Sequence, residues 1–412
     1  MKNLREKLFA LISLLIIFSF LIYLPYAYLK GVRTDAEKLG NNRLYTSFKG
    51  QSFEKINTKI NHLEIDLQNM ILNRFPFYDE TVSLINRSEL AADKKLLYRF
   101  SNYIPVKSDN GIFYYDNIAQ NRYYRLLSSN EKELKNSMHK ASNYYNNYYK
   151  AAREAVPNVK MAVFAVPMTW RSGASFYPYD DFSIFSDFSS SLDPEIKSGI
   201  LNIKDENTFN RYFFKTDHHW NIYGAYSGYL EICKLLNIKK PVEVKSFSRL
   251  PNVKFRGSMS RTLLSESYFD NFDMANFDLP SYKIKVNGAA NPQGLFTRKQ
   301  EYLNGTFPDS IYENHYGNFY HADVALIEYD FGNLSGRGNL LLIADSLSNC
   351  IEPQIASHYN KTFVIDQRMY GKENPNWLKS FLKKHRIDQI LILSTTNGIY
   401  NNYPGNIGLE EK

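Results

Sequence analysis

The chain of 412 residues contains only two cysteines, Cys233 and Cys350. A small secreted domain held together by several disulfides is therefore excluded, because such a framework needs four or more cysteines. No set of Cys and His residues has the spacing of a structural zinc site. We expect two buried free thiols, and a single Cys233–Cys350 disulfide is the alternative that the sequence leaves open.

The sequence also lacks a dense block of basic residues. Its 50 Lys and Arg residues against 42 Asp and Glu residues give a net charge of only +8. Nucleic-acid-binding proteins concentrate their basic residues in a patch or stripe, so we predict that nucleic acid is not a partner. A modest positive charge suits an anionic polymer or an anionic lipid surface equally well.

One uncharged segment, residues 8–29, lies near the N-terminus. As a helix it would be roughly 33 Å long, enough to cross the ~30 Å hydrocarbon core of a bilayer. It is longer than a signal-peptide core, and Lys2, Arg5 and Lys7 before it favour a cytoplasmic N-terminus. We predict a signal anchor over residues 1–33, which places the chain in the cytoplasmic membrane as a single-pass protein with an extracytoplasmic domain. A cleaved signal peptide and a buried soluble helix are the alternatives.

Residues 34–75 combine a polar juxtamembrane linker with an amphipathic helix. Between residues 53 and 74, apolar side chains recur every three or four positions, as on one face of a helix. We expect this helix to pack on the main domain, with short coiled-coil dimerisation as the alternative. The apolar positions are Ile56, Ile60, Leu63, Leu67 and Met70.

The main domain, residues 76–412, shows alternating helix and strand patterns outside one irregular insert. In the insert, at about 240–335, scattered Gly, Pro and Asn interrupt any helical period, which predicts loops and short strands, as in a lid or a substrate-facing segment. Elsewhere the patterns predict an α/β fold, in which helices flank a parallel sheet and ligands bind beyond the carboxyl ends of its strands. A hairpin turn is predicted at 109–111, strands at 161–166, 340–343, 362–365 and 390–393, and helices at 130–155, 222–236, 349–358 and 376–385.

Ser346 follows the apolar strand of residues 340–343 at a turn into a predicted helix. A helix N-terminus offers backbone N–H groups and a partial positive charge, which would stabilise an oxyanion beside the serine. Ser346 is therefore a candidate nucleophile. The alternative is that Ser346 or Asp345 only caps the following helix.

Asp217, His218 and His219 supply a carboxylate and two imidazoles in three consecutive residues. Side chains two positions apart share one side of an extended backbone, which favours Asp217 and His219 as an acid–base pair. Three other interpretations remain open: a metal site through both histidines, a surface cluster, and a cap formed by Thr216 or Asp217 before the next helix.

The segment from Phe214 to Ala225, read as Phe-Lys-Thr-Asp-His-His-Trp-Asn-x-x-Gly-Ala, resembles the signature of the DHHW family. That family is similar to the AlgX/AlgJ-type alginate O-acetylation proteins, which have an SGNH hydrolase-like domain. The resemblance covers most of residues 53–400, and the DHHW block is its most specific part. Four further segments resemble family elements: Asn73–Phe77 (FPF-type), Val163–Pro167 (strand ending in Val-Pro), Leu340–Ser346 (Gly-Asp-Ser strand) and Asp366–Arg368 (Asp-x-Arg).

This resemblance implies Ser346 as nucleophile, His219 as base and Asp217 as the residue that orients the base, with no metal or organic cofactor. One departure is Ala344, which stands where the family usually has Gly and would be strained if the turn needed a positive φ. Trp170 follows a strand on a loop and is a candidate for stacking on a sugar, although core packing is the interpretation that we favour. The candidates for oxyanion stabilisation or substrate binding are Asn349, Asn397 and Arg368, and Arg368 suits a structural ion pair equally well.

The resemblance also implies a function. We expect O-acyl transfer, most simply of acetyl, to hydroxyl groups of a cell-surface or secreted polysaccharide through an acyl-serine intermediate. Because acyl donors are scarce outside the membrane, a membrane-bound O-acyltransferase partner would supply the acyl group. The alternatives are a carbohydrate esterase with the same triad and a polysaccharide-binding or assembly protein that has lost activity.

Overall fold

The computed structural model describes most of the chain from residue 103 onward. The predicted anchor (1–33), linker and amphipathic helix (34–75) and the Asn73–Phe77 element lie outside the described residues. Within the described part, no helix combines the length and the apolar character needed to cross a bilayer. The described residues are 103–107, 113–125, 131–171, 180–291, 298–307, 310, 313–332, 336–374 and 376–402.

These residues form thirteen strands and ten α-helices. The strands are β1 (Tyr103–Lys107), β2 (Phe113–Asn117), β3 (Arg122–Arg125), β4 (Lys160–Val166), β5 (Ile196–Ile200), β6 (Val244–Arg249), β7 (Asp273–Phe277), β8 (Lys283–Val286), β9 (Ala289–Ala290), β10 (Leu326–Asp330), β11 (Asn339–Ala344), β12 (Lys361–Ile365) and β13 (Ile387–Thr395). The helices are α1 (Glu131–Ala155), α2 (Asp181–Ser190), α3 (Glu206–Tyr212), α4 (Ile222–Leu235), α5 (Ser258–Thr262), α6 (Lys299–Asn304), α7 (His315–Phe319), α8 (Glu352–Ala356), α9 (Gln367–Glu373) and α10 (Leu378–His385).

Eight strands form a central sheet in the order β5-β4-β13-β11-β12-β10-β8-β9. The first five run parallel to one another, and β10, β8 and β9 continue the sheet with antiparallel pairing. The prediction of an α/β fold with a central sheet flanked by helices is confirmed. The sheet is mixed rather than wholly parallel, because the insert at 240–335 supplies the three antiparallel strands.

Strand β11 shows why both faces of this sheet are covered. Leu340 and Leu342 point into one hydrophobic core, and Leu341 and Ile343 point into the other. Both faces must exclude water, so the strand reads as a continuous apolar run rather than an alternating one. Helices α4 and α8 contribute to the first core, and α1, α2 and α10 contribute to the second.

The carboxyl end of β11 is a topological switch point. After β11 the chain forms β12 on one edge of β11, and it later forms β13 on the opposite edge. Such a reversal opens a crevice beyond the strand ends, where ligands bind in open α/β sheets. Ser346 lies two residues beyond the end of β11, at this crevice.

The helix predicted at 349–358 is divided. A 3₁₀ turn over Ser348–Cys350 precedes α8, which begins at Glu352 and holds Pro353 in its first turn. Proline has no N–H and is tolerated only where a helix needs no donor, so a continuous helix through Pro353 is disfavoured.

Strands β1 and β2 pair antiparallel, but the turn predicted at 109–111 lies outside the described residues and stays a prediction. The expected state of the two cysteines is confirmed. Cys233 and Cys350 are both buried and free.

Ala344 is the last residue of β11 and is buried. Among the described residues with positive φ, neither Ala344 nor its two successors occurs. The backbone at this position therefore does not require a glycine, and Ala344 fits without the strain that a positive φ would cause.

We expect Ala344→Gly to lower the free energy of unfolding by about 1 kcal/mol, since glycine in a strand loses more backbone entropy and buries no methyl group. Urea unfolding followed by circular dichroism measures the change. Ala289→Gly, in the exposed edge strand β9, is the matched control with a smaller expected effect. A stabilised Ala344→Gly variant would contradict the extended geometry.

Candidate active site

The Asp-His-His-Trp residues, 217–220, belong to a loop whose two ends pair with one another. Phe213 and Trp220 make an isolated antiparallel bridge across the loop. Asn221 then caps α4, where its side chain accepts hydrogen bonds from the N–H groups of Tyr223 and Gly224. The cap considered at Thr216 or Asp217 is therefore wrong: Asn221 has this role, and the earlier residues lie within the loop.

The loop and the switch point bring three side chains into one hydrogen-bonded series. His219 Nδ1 lies 2.6 Å from Asp217 Oδ1, and His219 Nε2 lies 2.8 Å from Ser346 Oγ. The N–H of His219 also donates to Asp217 Oδ1 at 3.0 Å. A carboxylate can only accept, so His219 carries its proton on Nδ1 and directs the Nε2 lone pair at the serine hydroxyl.

Asp217 is ionised although it is buried. Burial alone would raise the pKa of Asp217, but the neighbouring His219 and His218 hold it well below its usual range. Its second oxygen accepts the N–H of Ser258 at 2.7 Å. Gly257 permits this approach, since a Cβ there would lie 2.2 Å from the Cβ of Asp217.

His218 bonds to Ser258 rather than to Ser346. Its Nδ1 lies 2.6 Å from Ser258 Oγ and 3.3 Å from Asp217 Oδ1. The side chain is 35% exposed, yet desolvation of the ring, with a further effect from His219, lowers the pKa of His218 to about 3. His218 is therefore neutral at pH 7 and supports the loop through Ser258.

The turn that carries Ser346 is fixed chiefly by Asp345. Its side chain accepts from the N–H of Leu347 at 3.0 Å and from Ser394 Oγ at 2.6 Å. Its carbonyl oxygen accepts from the N–H of Ser348 at 3.0 Å. Neither Ser346 nor Asp345 is the N-cap of a following helix, but Asp345 accepts from the N–H groups of residues 347 and 348, so these groups are not available to an oxyanion.

Tyr316, which belongs to the insert, contacts both His219 and Ser346. Its ring stacks on His219 with a centroid distance of 4.0 Å and an interplanar angle of 10°. Its hydroxyl donates to the carbonyl oxygen of Ser346 at 2.9 Å. Stacking restricts the imidazole to one orientation, and a ring face favours a positive charge on it.

A buried ion pair contacts the turn that follows Ser346. His321 Nδ1 lies 2.8 Å from the carbonyl oxygen of Ala322, and Nε2 lies 3.3 Å from Glu352 Oε2. Glu352 also accepts from Ser348 Oγ at 2.6 Å and from Tyr329 Oη at 3.1 Å. Both His321 nitrogens face acceptors, so the ring is an imidazolium paired with a carboxylate.

The pKa shifts agree with this assignment. Burial lowers the pKa of His321, but Glu352 outweighs burial and the net shift is upward. Burial raises the pKa of Glu352, but His321 and the Ser348 and Tyr329 hydroxyls outweigh it and the net shift is downward. The other charge facing His321 is Asp323.

The remaining candidate residues do not join the Asp217–His219–Ser346 series. Asn349 is buried and its amide donates to the carbonyl oxygen of His321 at 3.0 Å. Arg368 pairs with Asp366 at 2.9 Å and with Asp323 at 3.2 Å.

Trp170 and Asn397 are the two remaining candidates. Trp170 is buried and contacts Tyr124 and Phe209, which is core packing rather than an exposed sugar platform. Asn397 is half-buried in the segment after β13, at the same end of the sheet as Ser346.

A metal ion is the other ligand that this loop could bind. Asp217, His218 and His219 each offer a ligand atom within 4.8 Å of the others. However, Asp217 and His219 use these atoms to bond one another, and His218 Nδ1 contacts Ser258. A metal would have to replace those hydrogen bonds, so the donor set fits a proton relay better.

Most residues that sequence reasoning missed lie in the insert. Ser258, Tyr316 and His321 all belong to residues 240–335, where no periodic pattern was readable. Gly257 beside Ser258 was the one available signal, since an isolated glycine often marks a close backbone approach.

Comparison with known proteins identifies the fold. No family model matches the chain, and no curated protein matches it. A solved structure of a DHHW family protein from Eubacterium siraeum aligns with a TM-score of 0.56 and 18% identity, covering 76% of this chain and 100% of that one. The two share a fold. The DHHW resemblance in the sequence thus agrees with the architecture.

Two further solved structures are similar. Bacillus cereus PatB1 with a sulfonyl adduct aligns with a TM-score of 0.55 and 16% identity, covering 74% of this chain and 99% of that one. The O-acetyltransferase domain of Pseudomonas putida AlgJ aligns with a TM-score of only 0.36 and 8% identity over 73% of this chain and 93% of that one. That last similarity is too low to carry an argument.

The buried ion pair predicts a pH-dependent stability. The raised pKa of His321 makes its contribution complete below about pH 6.5, and the contribution disappears as pH rises through the folded-state pKa. The lowered pKa of Glu352 makes its contribution complete above about pH 4.3, and it disappears as pH falls through the folded-state pKa. We expect Glu352→Gln to cost about 3–5 kcal/mol near pH 6 and clearly less near pH 9.

Urea unfolding of wild type and variant at both pH values measures this difference. Glu195→Gln is the matched control, because Glu195 pairs with Arg153 at the surface, where solvent screens the pair, and its loss should be much smaller than that of Glu352→Gln. Equal losses for Glu352→Gln at the two pH values would show that His321 does not change its charge between them.

Proposed function

We propose that this protein is a serine-dependent O-acyltransferase of the SGNH hydrolase type, acting outside the cytoplasm on hydroxyl groups of a polysaccharide. The observation that carries the proposal is the unbroken series from Asp217 through His219 to Ser346, with distances of 2.6 and 2.8 Å. A serine, a base and an orienting carboxylate in this order are the parts of a nucleophilic triad on many unrelated folds.

In the first half-reaction, His219 Nε2 takes the proton of Ser346 Oγ while the oxygen attacks the acyl carbonyl carbon of the donor. The tetrahedral intermediate collapses, the bond to the leaving oxygen breaks, and His219 returns the proton to that oxygen. The imidazolium that forms is stabilised by ionised Asp217 on one side and by the Tyr316 ring face on the other.

In the second half-reaction, a sugar hydroxyl gives its proton to His219 Nε2 and attacks the acyl-serine. The bond between the acyl carbon and Ser346 Oγ breaks, and His219 reprotonates the serine. The acetyl group is the simplest acyl group for this cycle, and no metal or organic cofactor takes part in it.

The N–H of Ser346 is the donor that we assign to the oxyanion. Among the described residues, this group has no acceptor, whereas the N–H groups of Leu347 and Ser348 both bond to Asp345. An unpaired donor beside the attacking oxygen suits the charge that develops on the acyl oxygen. We keep Asn397 and Arg368 as candidates for contacting the substrate at this end of the sheet.

The cellular context is part of the proposal. The uncharged segment 8–29 would anchor the chain in the cytoplasmic membrane, with the site on the outer side. An acyl donor must then cross the membrane, which suits a membrane-bound O-acyltransferase as partner. If water replaced the sugar hydroxyl, the same residues would make a carbohydrate esterase.

Ser346→Ala tests the nucleophile. With the full chain in detergent, we expect p-nitrophenyl acetate hydrolysis to fall at least about 1,000-fold, because the attacking oxygen is removed. Phenylmethylsulfonyl fluoride should add one sulfonyl group to wild type and none to the variant by intact-mass spectrometry. A sulfonyl reagent is an apt probe, since a structure of PatB1 carries a sulfonyl adduct.

Ser380→Ala, on the exposed side of α10, is the matched control and should behave as wild type. Hydrolysis and labelling that persist in Ser346→Ala would reject the triad. A polysaccharide acceptor that becomes acetylated, at the expense of free acetate, separates transferase from esterase.

Tyr316 gives a second test of the same chemistry. We expect Tyr316→Leu to lower kcat roughly 3- to 30-fold, since a ring over the imidazolium contributes up to about 2 kcal/mol. Tyr316→Phe keeps the ring and should stay within about threefold of wild type. Equal losses in both variants would mean that the hydroxyl bond to Ser346, rather than the stacking, matters.

A further inference from the structure

Trp220 connects the loop that carries the base to the turn that carries the nucleophile. Its indole Nε1–H donates a hydrogen bond to the carbonyl oxygen of Leu347 at 2.8 Å. Trp220 directly follows His219 in the sequence, and Leu347 directly follows Ser346 in the same way. The bond therefore joins the same two segments, 127 residues apart, that the contact between His219 and Ser346 joins.

The carbonyl group of Leu347 depends on this donor. Leu347 is 2% exposed and Trp220 is fully buried, so water does not reach the bond. Among the described residues, the other donor to this oxygen is the Cys350 thiol at 3.7 Å, and a thiol is a weak donor. A buried carbonyl group without a good donor is unfavourable, so the arrangement in which the two segments are bonded is favoured.

Gly228, in α4, makes room for the indole ring. A Cβ at residue 228 would lie 2.6 Å from Cζ3 and 3.0 Å from Cη2 of Trp220, which is too close for a side chain. Gly228 lies inside the helix, where alanine is otherwise preferred over glycine. The indole therefore fits against α4 without spare room, and packing and the hydrogen bond together fix its position.

The two connections between the segments differ during the proposed reaction. Ser346 loses its hydroxyl proton when the acyl-serine forms, so its Oγ no longer donates to His219 in that state. The bond from Trp220 to Leu347 involves no reacting atom and remains, as do the contacts of Tyr316 with both segments. The base must still lie beside the acyl carbon when the acceptor arrives, since a misplacement of about 1 Å can cost about 100-fold in rate.

We propose that Trp220 is a positioning residue whose hydrogen bond to Leu347 keeps the base and the nucleophile at reacting distance, including in the acyl-serine state. Its effect on the rate rests on the proposed acyl transfer, whereas the hydrogen bond itself does not. Because the bond involves no reacting atom, its loss should slow the chemical steps and leave the binding of a small ester unchanged.

Stopped-flow hydrolysis of p-nitrophenyl acetate by the full chain in detergent tests the effect on the rate. We expect Trp220→Phe to slow deacylation about 10- to 100-fold, because an aromatic ring is kept but the donor is lost. The ester concentration that half-saturates the acylation burst should stay within about threefold of wild type. A deacylation rate within about threefold of wild type would overturn the proposal.

Trp377→Phe is the matched control and should deacylate as wild type. Trp377 is also buried, but its Nε1 has no hydrogen-bond partner among the described residues. The two substitutions remove the same atoms, so a loss of activity that is confined to Trp220→Phe belongs to the hydrogen bond. Circular dichroism melting verifies that each variant is folded.

Gly228→Ala tests the same connection from a residue outside the site. The added methyl group displaces the indole, so we expect deacylation to slow at least about tenfold. Phenylalanine at 220 leaves room for the methyl group, so Gly228→Ala should cost less than about threefold further in the Trp220→Phe background. Gly199→Ala, where the nearest atom to the new Cβ lies at 3.4 Å, is the control. Losses that multiply in the double variant would contradict the connection.

The ¹⁵N–¹H signals of the indole groups test the hydrogen bond without any reaction. The chain has 3 tryptophans, so tryptophan-labelled protein gives three signals, and the Trp220→Phe and Trp377→Phe variants assign two of them. We expect the Trp220 indole proton to exchange with solvent at least about tenfold more slowly than that of Trp377. Gly228→Ala should remove this difference. Equal exchange rates in wild type would overturn the proposal.

Hydrolysis by Ser346→Ala separates this inference from the function on which its effect rests. If the Trp220 proton is protected while hydrolysis is independent of Ser346, the connection between the segments stands and the acyl transfer fails. If hydrolysis depends on Ser346 while Trp220→Phe deacylates as wild type, the positioning role fails alone.

Discussion

The site depends on keeping one carboxylate ionised where water is excluded. Asp217 is 2% exposed, and a buried charge is tolerated only when donors surround it. The donors come from its own loop, through His219, and from the insert, through the N–H of Ser258. Removing either set would leave a charge unpaired, so the loop geometry, the close approach at Gly257 and the orientation of the imidazole are parts of a single requirement.

Hydrogen bonds to carboxylates also fix the other half of the site, which is the turn that carries Ser346. Asp345 uses its side chain and its carbonyl oxygen to fix the turn after β11, which leaves the Ser346 hydroxyl free to face the imidazole. Behind the turn, Glu352 holds Ser348 and is itself neutralised by His321. Two carboxylates, the half-buried Asp345 and the buried Glu352, thus fix the turn that carries Ser346.

Sequence patterns predicted those parts of the molecule whose structure follows from a regular local pattern of apolar and polar residues. The apolar runs of β11, β12 and β13 revealed the parallel core, and alternation along the chain placed Asp217 and His219 on one side. The insert could not be predicted, because its strands are short and are held at the sheet edge by long-range pairing rather than by a local period. Tyr316 shows the limit: an aromatic residue in an irregular segment gives no sign that it will stack on a histidine about a hundred residues earlier.

The order of strands in the sheet has a consequence for how the protein is made. Strand β4 pairs with β13, whose residues are synthesised more than two hundred positions later. Until then β4 has one unpaired edge, and such long-range parallel pairing forms slowly and leaves the chain prone to aggregation. Ser346 follows β11, and both strands that pair with β11, β12 and β13, come later in the chain. A chain cut short before residue 387 would therefore contain every residue of the Asp–His–Ser series and still lack the framework that brings them together.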